Sequence, residues 1–153
     1  IKAVIKSNEN RKKLLIKKIE KILLNKVKNK KIAFLGVTFK PNTDDMRFAP
    51  SIYIIQELQK EGAKIKAYDP EAMEKAKRIF NDVEFCKEPY EVSKDAYALL
   101  ILTEWNEFKE LDIKKIKSLL KSPIIIDGRN IYNPENLRNE GFTYISVGRK
   151  EEV

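Results

Sequence analysis

Six short apolar runs alternate with amphipathic segments from residue 30 onward, and this alternation constrains the fold more than any other feature of the chain. KKIAFLG reads as a first buried strand, and PSIYIIQELQKEG as a helix with Pro50 in its first turn, Ile52, Ile55 and Leu58 inward, and Gly62 as its stop. AKIKAYDP is a second strand ended by Asp69-Pro70, EAMEKAKRIF a second helix, and NDVEFC a short third strand. After a short helix around Tyr90 comes DAYALLILT, a continuous apolar run of the kind found in parallel sheets covered on both faces. Asp112 is placed to cap IKKIKSLL, whose Ile113, Ile116 and Leu120 share a face. SPIIIDGRN is a fifth strand, Asn133-Pro134 opens a last helix stopped by Gly141, and FTYIS is a sixth, edge strand. Regular β-α alternation predicts an α/β fold, a doubly wound parallel sheet in a three-layer α/β/α arrangement.

Ahead of this domain, assigned to residues 30–153, residues 1–29 read as a long amphipathic helix. Its stripe is Ile16, Ile19, Leu23 and Val27, flanked by Leu15 and Ile22, and it ends near Lys28-Asn29. The net charge of +8 is concentrated here: residues 1–31 hold twelve Lys or Arg against Glu9 and Glu20. The remainder is near neutral, which argues for a solvated lysine-rich helix face and against a nucleic-acid reader, whose cations would spread over one face of the domain. One cysteine, Cys86, excludes an internal disulfide, and no apolar stretch reaches the ~20 residues of a bilayer span. With no signal-peptide core visible, the chain reads as cytoplasmic; its start at Ile rather than Met suggests a piece of a longer protein. Abundant Lys and Glu, with no His, point to a heat-adapted source.

Ligands of open α/β sheets bind beyond the carboxyl ends of the strands, near the point where strand order reverses. That rule selects the loops GVTFKPNTDDMR, TEWNEF and DGRN. Together they bring Lys40, Arg47 and Arg129 to one crevice, with Phe39 and Trp105 as flat apolar surfaces. Cations beside aromatic faces suit a phosphorylated nucleotide, Lys acting as a point charge and Arg as a bidentate fork. Each residue also has a plainer reading. Lys40 and Arg47 pair with Asp44 and Asp45 to stiffen the turn, Asp127 caps its loop, Trp105 belongs to the core, and Asp69 is a strand stop.

No histidine is present to act as a base or metal ligand, Cys86 has no neighbouring base in sequence, and no acid/base carboxylate couple stands out. The chain therefore reads as a binding half without a catalytic residue or a metal site.

Three motifs in order, GVTFKPNTDDMR followed by APS, LLILTEWNEFKEL and IIIDGRN, closely resemble the C-terminal, UDP-binding domain of the UDP-glucose/GDP-mannose dehydrogenase family. The similarity spans residues 31–149 and favours the UDP-glucose branch over GDP-mannose or UDP-N-acetylmannosamine relatives. The resemblance implies a Rossmann-like domain and a share in NAD-dependent, two-step oxidation of a UDP-sugar at C6, serving polysaccharide biosynthesis. It implies catalytic residues elsewhere, so this chain alone is expected to be inactive. By match of motif, Phe39, Lys40 and Arg129 would contact the UDP-sugar and Arg47 the NAD phosphates. The leading helix resembles the end of the family's central helix, which implies a homodimer through it. One departure is Phe48, where family members commonly carry Glu, and it bears on how Arg47 is oriented. A self-standing nucleotide-binding regulatory module remains the alternative from another functional class.

Overall fold

A computed structural model describes residues 10, 13–19, 21–22 and 27–146 of the chain. The N-terminal helix, α1, is helical at residues 10, 13–19 and 21–22, and a turn at Lys28-Asn29 leads into the sheet. Leu23 of the expected stripe lies outside the described residues, as do Glu9, Glu20 and residues 147–153. The alternation then unfolds as β1 (Lys31–Leu35), α2 (Pro50–Lys60), β2 (Lys64–Tyr68), α3 (Met73–Ile79), β3 (Val83–Phe85) and α4 (Pro89–Ser93). The second half is β4 (Ala98–Ile101), α5 (Asn106–Lys109), α6 (Ile113–Leu119), β5 (Ile124–Asp127), α7 (Pro134–Asn139) and β6 (Thr143–Ser146). The expected doubly wound sheet is present, with six parallel strands in the order β3-β2-β1-β4-β5-β6. Strand order reverses between β1 and β4, which lie side by side although two other strands separate them in sequence.

The pleat decides what covers each face, because successive side chains point to opposite sides. From β1, Ile32 and Phe34 enter one core with Ile54, Ile55 and Leu58 of α2 and Ala76 of α3. Ala33 and Leu35 enter the other with Val92, Phe108, Ile116 and Leu137, drawn from α4 to α7. Leu15, Ile16 and Ile19 of α1 join the first core, so the chain's own domain covers this side of the helix, while Leu14 stays 58% exposed.

Local signals explain most element ends. Pro50 opens α2, and Gly62 closes it at φ +91°, with Ala63 N–H donating back to the Leu58 carbonyl at 3.0 Å. Asp112 caps α6 by accepting from Lys114 and Lys115 N–H, and Asn133 caps α7 by accepting from Asn136 N–H. Two details differ from the sequence reading. Ile54 is fully buried where Ile52 was expected, Ile52 being only partly covered, and TEWNEF holds the one-turn helix α5 rather than a plain loop.

Candidate functional site

Register fixes where the loops emerge. Leu35 pairs with Tyr68 and with Ile101, and Ile101 with Asp127, so β1, β2, β4 and β5 end at one level. The segments after them therefore share the sheet's carboxyl edge, as the switch-point rule requires.

At the floor of this edge lies Gly36, at φ +86°. A Cβ there would sit 2.5 Å from Thr103 Cβ, so the single glycine serves the close approach of the β1 and β4 ends. The segment that follows is bolted down from three directions. Asp69, 1% exposed, accepts from Val37 N–H (2.8 Å) and Thr38 N–H (3.3 Å) through Oδ2, and from Glu71 and Ala72 N–H through Oδ1 (both 3.0 Å). Thr103 Oγ1 donates to the Thr38 carbonyl at 2.8 Å, and Ser51 Oγ to that of Val37 at 2.6 Å. Asp69 is more than a strand stop: it clamps the neighbouring strand's loop, and all of these bonds occupy it.

Beyond Thr38 the loop rises to the surface. Phe39 is 45% exposed, and Lys40 is exposed with no ion pair recorded among the described residues. The turn-stiffening reading is thus divided. Arg47 does form the pair, gripping Asp45 through Nε–Oδ1 (3.0 Å) and Nη2–Oδ2 (2.9 Å), while Asp44 meets Lys75 of α3 at 3.1 Å. The fork and the Arg47 backbone N–H hold the Asp45 carboxyl down at about 2. Phe48, next along, is 88% exposed at φ +58°.

At the end of β5, Asp127 is fully buried and caps its loop as its sequence context suggested. It accepts from Arg129 N–H (2.9 Å) through Oδ1, and from Ile131 N–H (2.8 Å), Tyr132 N–H (3.3 Å) and Tyr144 OH (2.6 Å) through Oδ2. Gly128 N–H donates to the Ile101 carbonyl at 2.8 Å, tying this turn to β4. The Arg129 side chain crosses to the β4 loop and donates from Nε to Glu104. Glu104 was not among the expected residues. A carboxylate within TEW, one loop away from the arginine of DGRN, was the available signal.

Trp105 is a core residue at 7% exposure, packed with Leu35 and Phe108, and its buried indole N–H has no acceptor in the described structure. It offers no stacking surface. Cys86 is buried as expected, and burial pushes its thiol up to about 11, so it stays protonated at neutral pH. A cleft of about 480 Å³ opens at the opposite edge, lined by Lys31, Lys64, Lys66 and Glu84 among others. The Lys66 ammonium there is already engaged, at 3.0 and 2.8 Å from the Glu91 and Lys94 carbonyls and 3.5 Å from Glu84. The carboxyl edge is the better candidate, since it carries an exposed lysine and two arginines.

The UDP-glucose 6-dehydrogenase of Rhizobium meliloti (strain 1021) is 42% identical over 99% of this chain and 35% of its own length. The UDP-glucose 6-dehydrogenase TuaD of Bacillus subtilis (strain 168) is 44% identical over 97% of the chain and 32% of its own. The chain thus spans about a third of the length of these relatives. A UDP-glucose dehydrogenase structure from Pyrobaculum islandicum superposes with a TM-score of 0.80 at 27% identity, covering 97% of this chain and 32% of the other. The model of the UDP binding domain of the UDP-glucose/GDP-mannose dehydrogenase family matches residues 33–134, from inside β1 to the start of α7, and the chain belongs to that family.

Proposed function

We propose that this chain is the UDP-sugar-binding part of an NAD-dependent UDP-glucose 6-dehydrogenase, which oxidises UDP-glucose in two steps to UDP-glucuronate. The observation that carries this reading is that the loops bearing Lys40, after β1, and Arg129, after β5, both meet the β4 loop between them at the carboxyl edge of a family member's sheet. Residues 30–153 form the binding domain, and residues 1–29 are the end of a connecting helix that contributes to a homodimer. Phe39, Lys40 and Arg129 contact the UDP-sugar: Lys40 supplies a mobile point charge to phosphate oxygens, Arg129 a directed fork, and Phe39 an exposed apolar face.

Arg47 stands on the outer rim of the same loop, its side chain 83% exposed, and fits an NAD phosphate. Asp45 already holds part of its fork, so NAD must share the guanidinium or displace the carboxylate. NAD supplies the hydride acceptor when bound. This chain's residues bind and orient, and the thiol of Cys86 is no nucleophile, so the chain alone does not turn over.

A thermal-shift screen against UDP, GDP, ADP and UDP-sugars tests the reading. A ligand at a hundred times its dissociation constant stabilises by about 2.7 kcal/mol, a readily measured shift. Stabilisation by UDP and UDP-sugars alone is expected. Preference for GDP would move the chain to the GDP-mannose branch, and indifference to every nucleotide would refute the proposal.

A further inference from the structure

We propose that Glu104 is a positioning residue for Arg129, holding the guanidinium across the seam between the β4 and β5 loops so that its terminal nitrogens remain for an anionic group of the nucleotide. The inference rests on the nucleotide-binding reading above. Both backbones are fixed before the side chains meet. Thr103, just ahead of Glu104, is buried and bonded to the Thr38 carbonyl, and Trp105, just behind, is locked in the core. Arg129 follows a turn pinned by Asp127 and by the Gly128–Ile101 bond, with Asn130 at φ +57°.

With the backbone set, what Nε meets decides where the guanidinium goes. It meets Glu104 Oε2, and among the described residues no further partner of the guanidinium is recorded. Four terminal N–H donors stay available, enough for bidentate capture of a phosphate. A long side chain tethered at Nε has already lost much of the rotamer freedom that binding would otherwise remove. The side chains are 34% and 28% exposed, so the pair lies at the rim, where a ligand can reach it. A carboxylate beside an anion site also repels the ligand, so positioning and competition predict opposite signs.

The test is a mutant cycle in the 153-residue chain, read by UDP titration and by the exchange rate of the Arg129 Nε–H without ligand. Glu104→Ala is expected to speed that exchange and to weaken UDP about tenfold. Glu104→Gln, which keeps an acceptor, should retain affinity within about threefold, and adding Glu104→Ala to Arg129→Ala should cost nothing more. Tighter UDP binding by Glu104→Ala would make Glu104 a competitor and overturn the proposal. Losses that add in the double variant would overturn it too, as would an Nε–H exchange rate indifferent to Glu104. Failure of UDP to bind the parent chain sinks the nucleotide reading instead, and the ligand-free exchange rate then decides whether Glu104 holds Arg129.

Discussion

Two turns at the sheet's carboxyl edge share one local design and differ in environment. In Asp45-Met46-Arg47 and in Asp127-Gly128-Arg129, an aspartate accepts the backbone N–H of the arginine two residues on, at 2.9 Å in both. At the exposed turn, the Arg47 side chain folds back onto the same aspartate. At the buried turn, Ile131, Tyr132 and Tyr144 saturate Asp127, so Arg129 must look elsewhere and finds Glu104 on the next loop. Burial thus converts a local pair into one that spans two loops. It also separates the energetics. The outer pair is solvent-exposed and screened, whereas the inner carboxylate, itself buried, accepts from four donors that are buried or partly buried, where water competes less.

The largest expected effect tests that separation. Asp127→Asn places an amide N–H₂ against donors, and should lower stability by about 3 kcal/mol in urea denaturation. Asp45→Asn should leave the midpoint within experimental error. Comparable losses would show that the two turns are energetically alike.

Next comes ligand affinity. A charge-assisted hydrogen bond is worth about 1.5–3 kcal/mol, so Lys40→Ala and Arg129→Ala should each weaken UDP roughly ten- to a hundredfold. Arg47→Ala should leave UDP affinity nearly unchanged, since its loop segment leans towards α3 through the Asp44–Lys75 pair while Arg129 is tied to β4. Equal losses in all three variants would place Arg47 in the UDP site. A smaller effect follows for Tyr144→Phe, which removes one of four donors to Asp127 and should cost about 1 kcal/mol without altering UDP affinity.

What the sequence made legible follows from range. Signals confined to a few residues read correctly: Pro50, Gly62, the Asp112 and Asn133 caps, and the apolar runs of β1 and β4. Asp127 as a loop cap was legible for the same reason, because most of its partners lie two to five residues away. Contacts made by folding were not. Asp69 clamps residues 31 and 32 positions earlier, and Glu104 meets an arginine 25 positions later. Neither partner can be chosen before strand order and register are known. The pairing of Arg47 with Asp45 rather than Asp44 was equally hidden, since two adjacent acids in an irregular loop carry no period to tell them apart.

The smallest effect sharpens the comparison most finely, because it reads the outer turn one carboxyl at a time. Asp45 titrates at about 2, below its ordinary 3.8, chiefly through the Arg47 side-chain bond. A depressed carboxyl contributes stability above its unfolded value and loses it as pH falls through the folded one, so this contribution is complete above about pH 4 and fades towards pH 2. Solvent exposure keeps it small, and added salt should shrink the shift. Arg47→Ala, which removes the side-chain bond but keeps the backbone N–H donated to Asp45, should return the Asp45 titration, followed by carboxyl NMR, part of the way to 3.8. In the complete enzyme saturated with NAD, the same return is expected if the arginine leaves Asp45 for a phosphate. An Asp45 titration still near 2 in that complex would mean that Arg47 never lets go, and its place on the rim would be that of a turn brace.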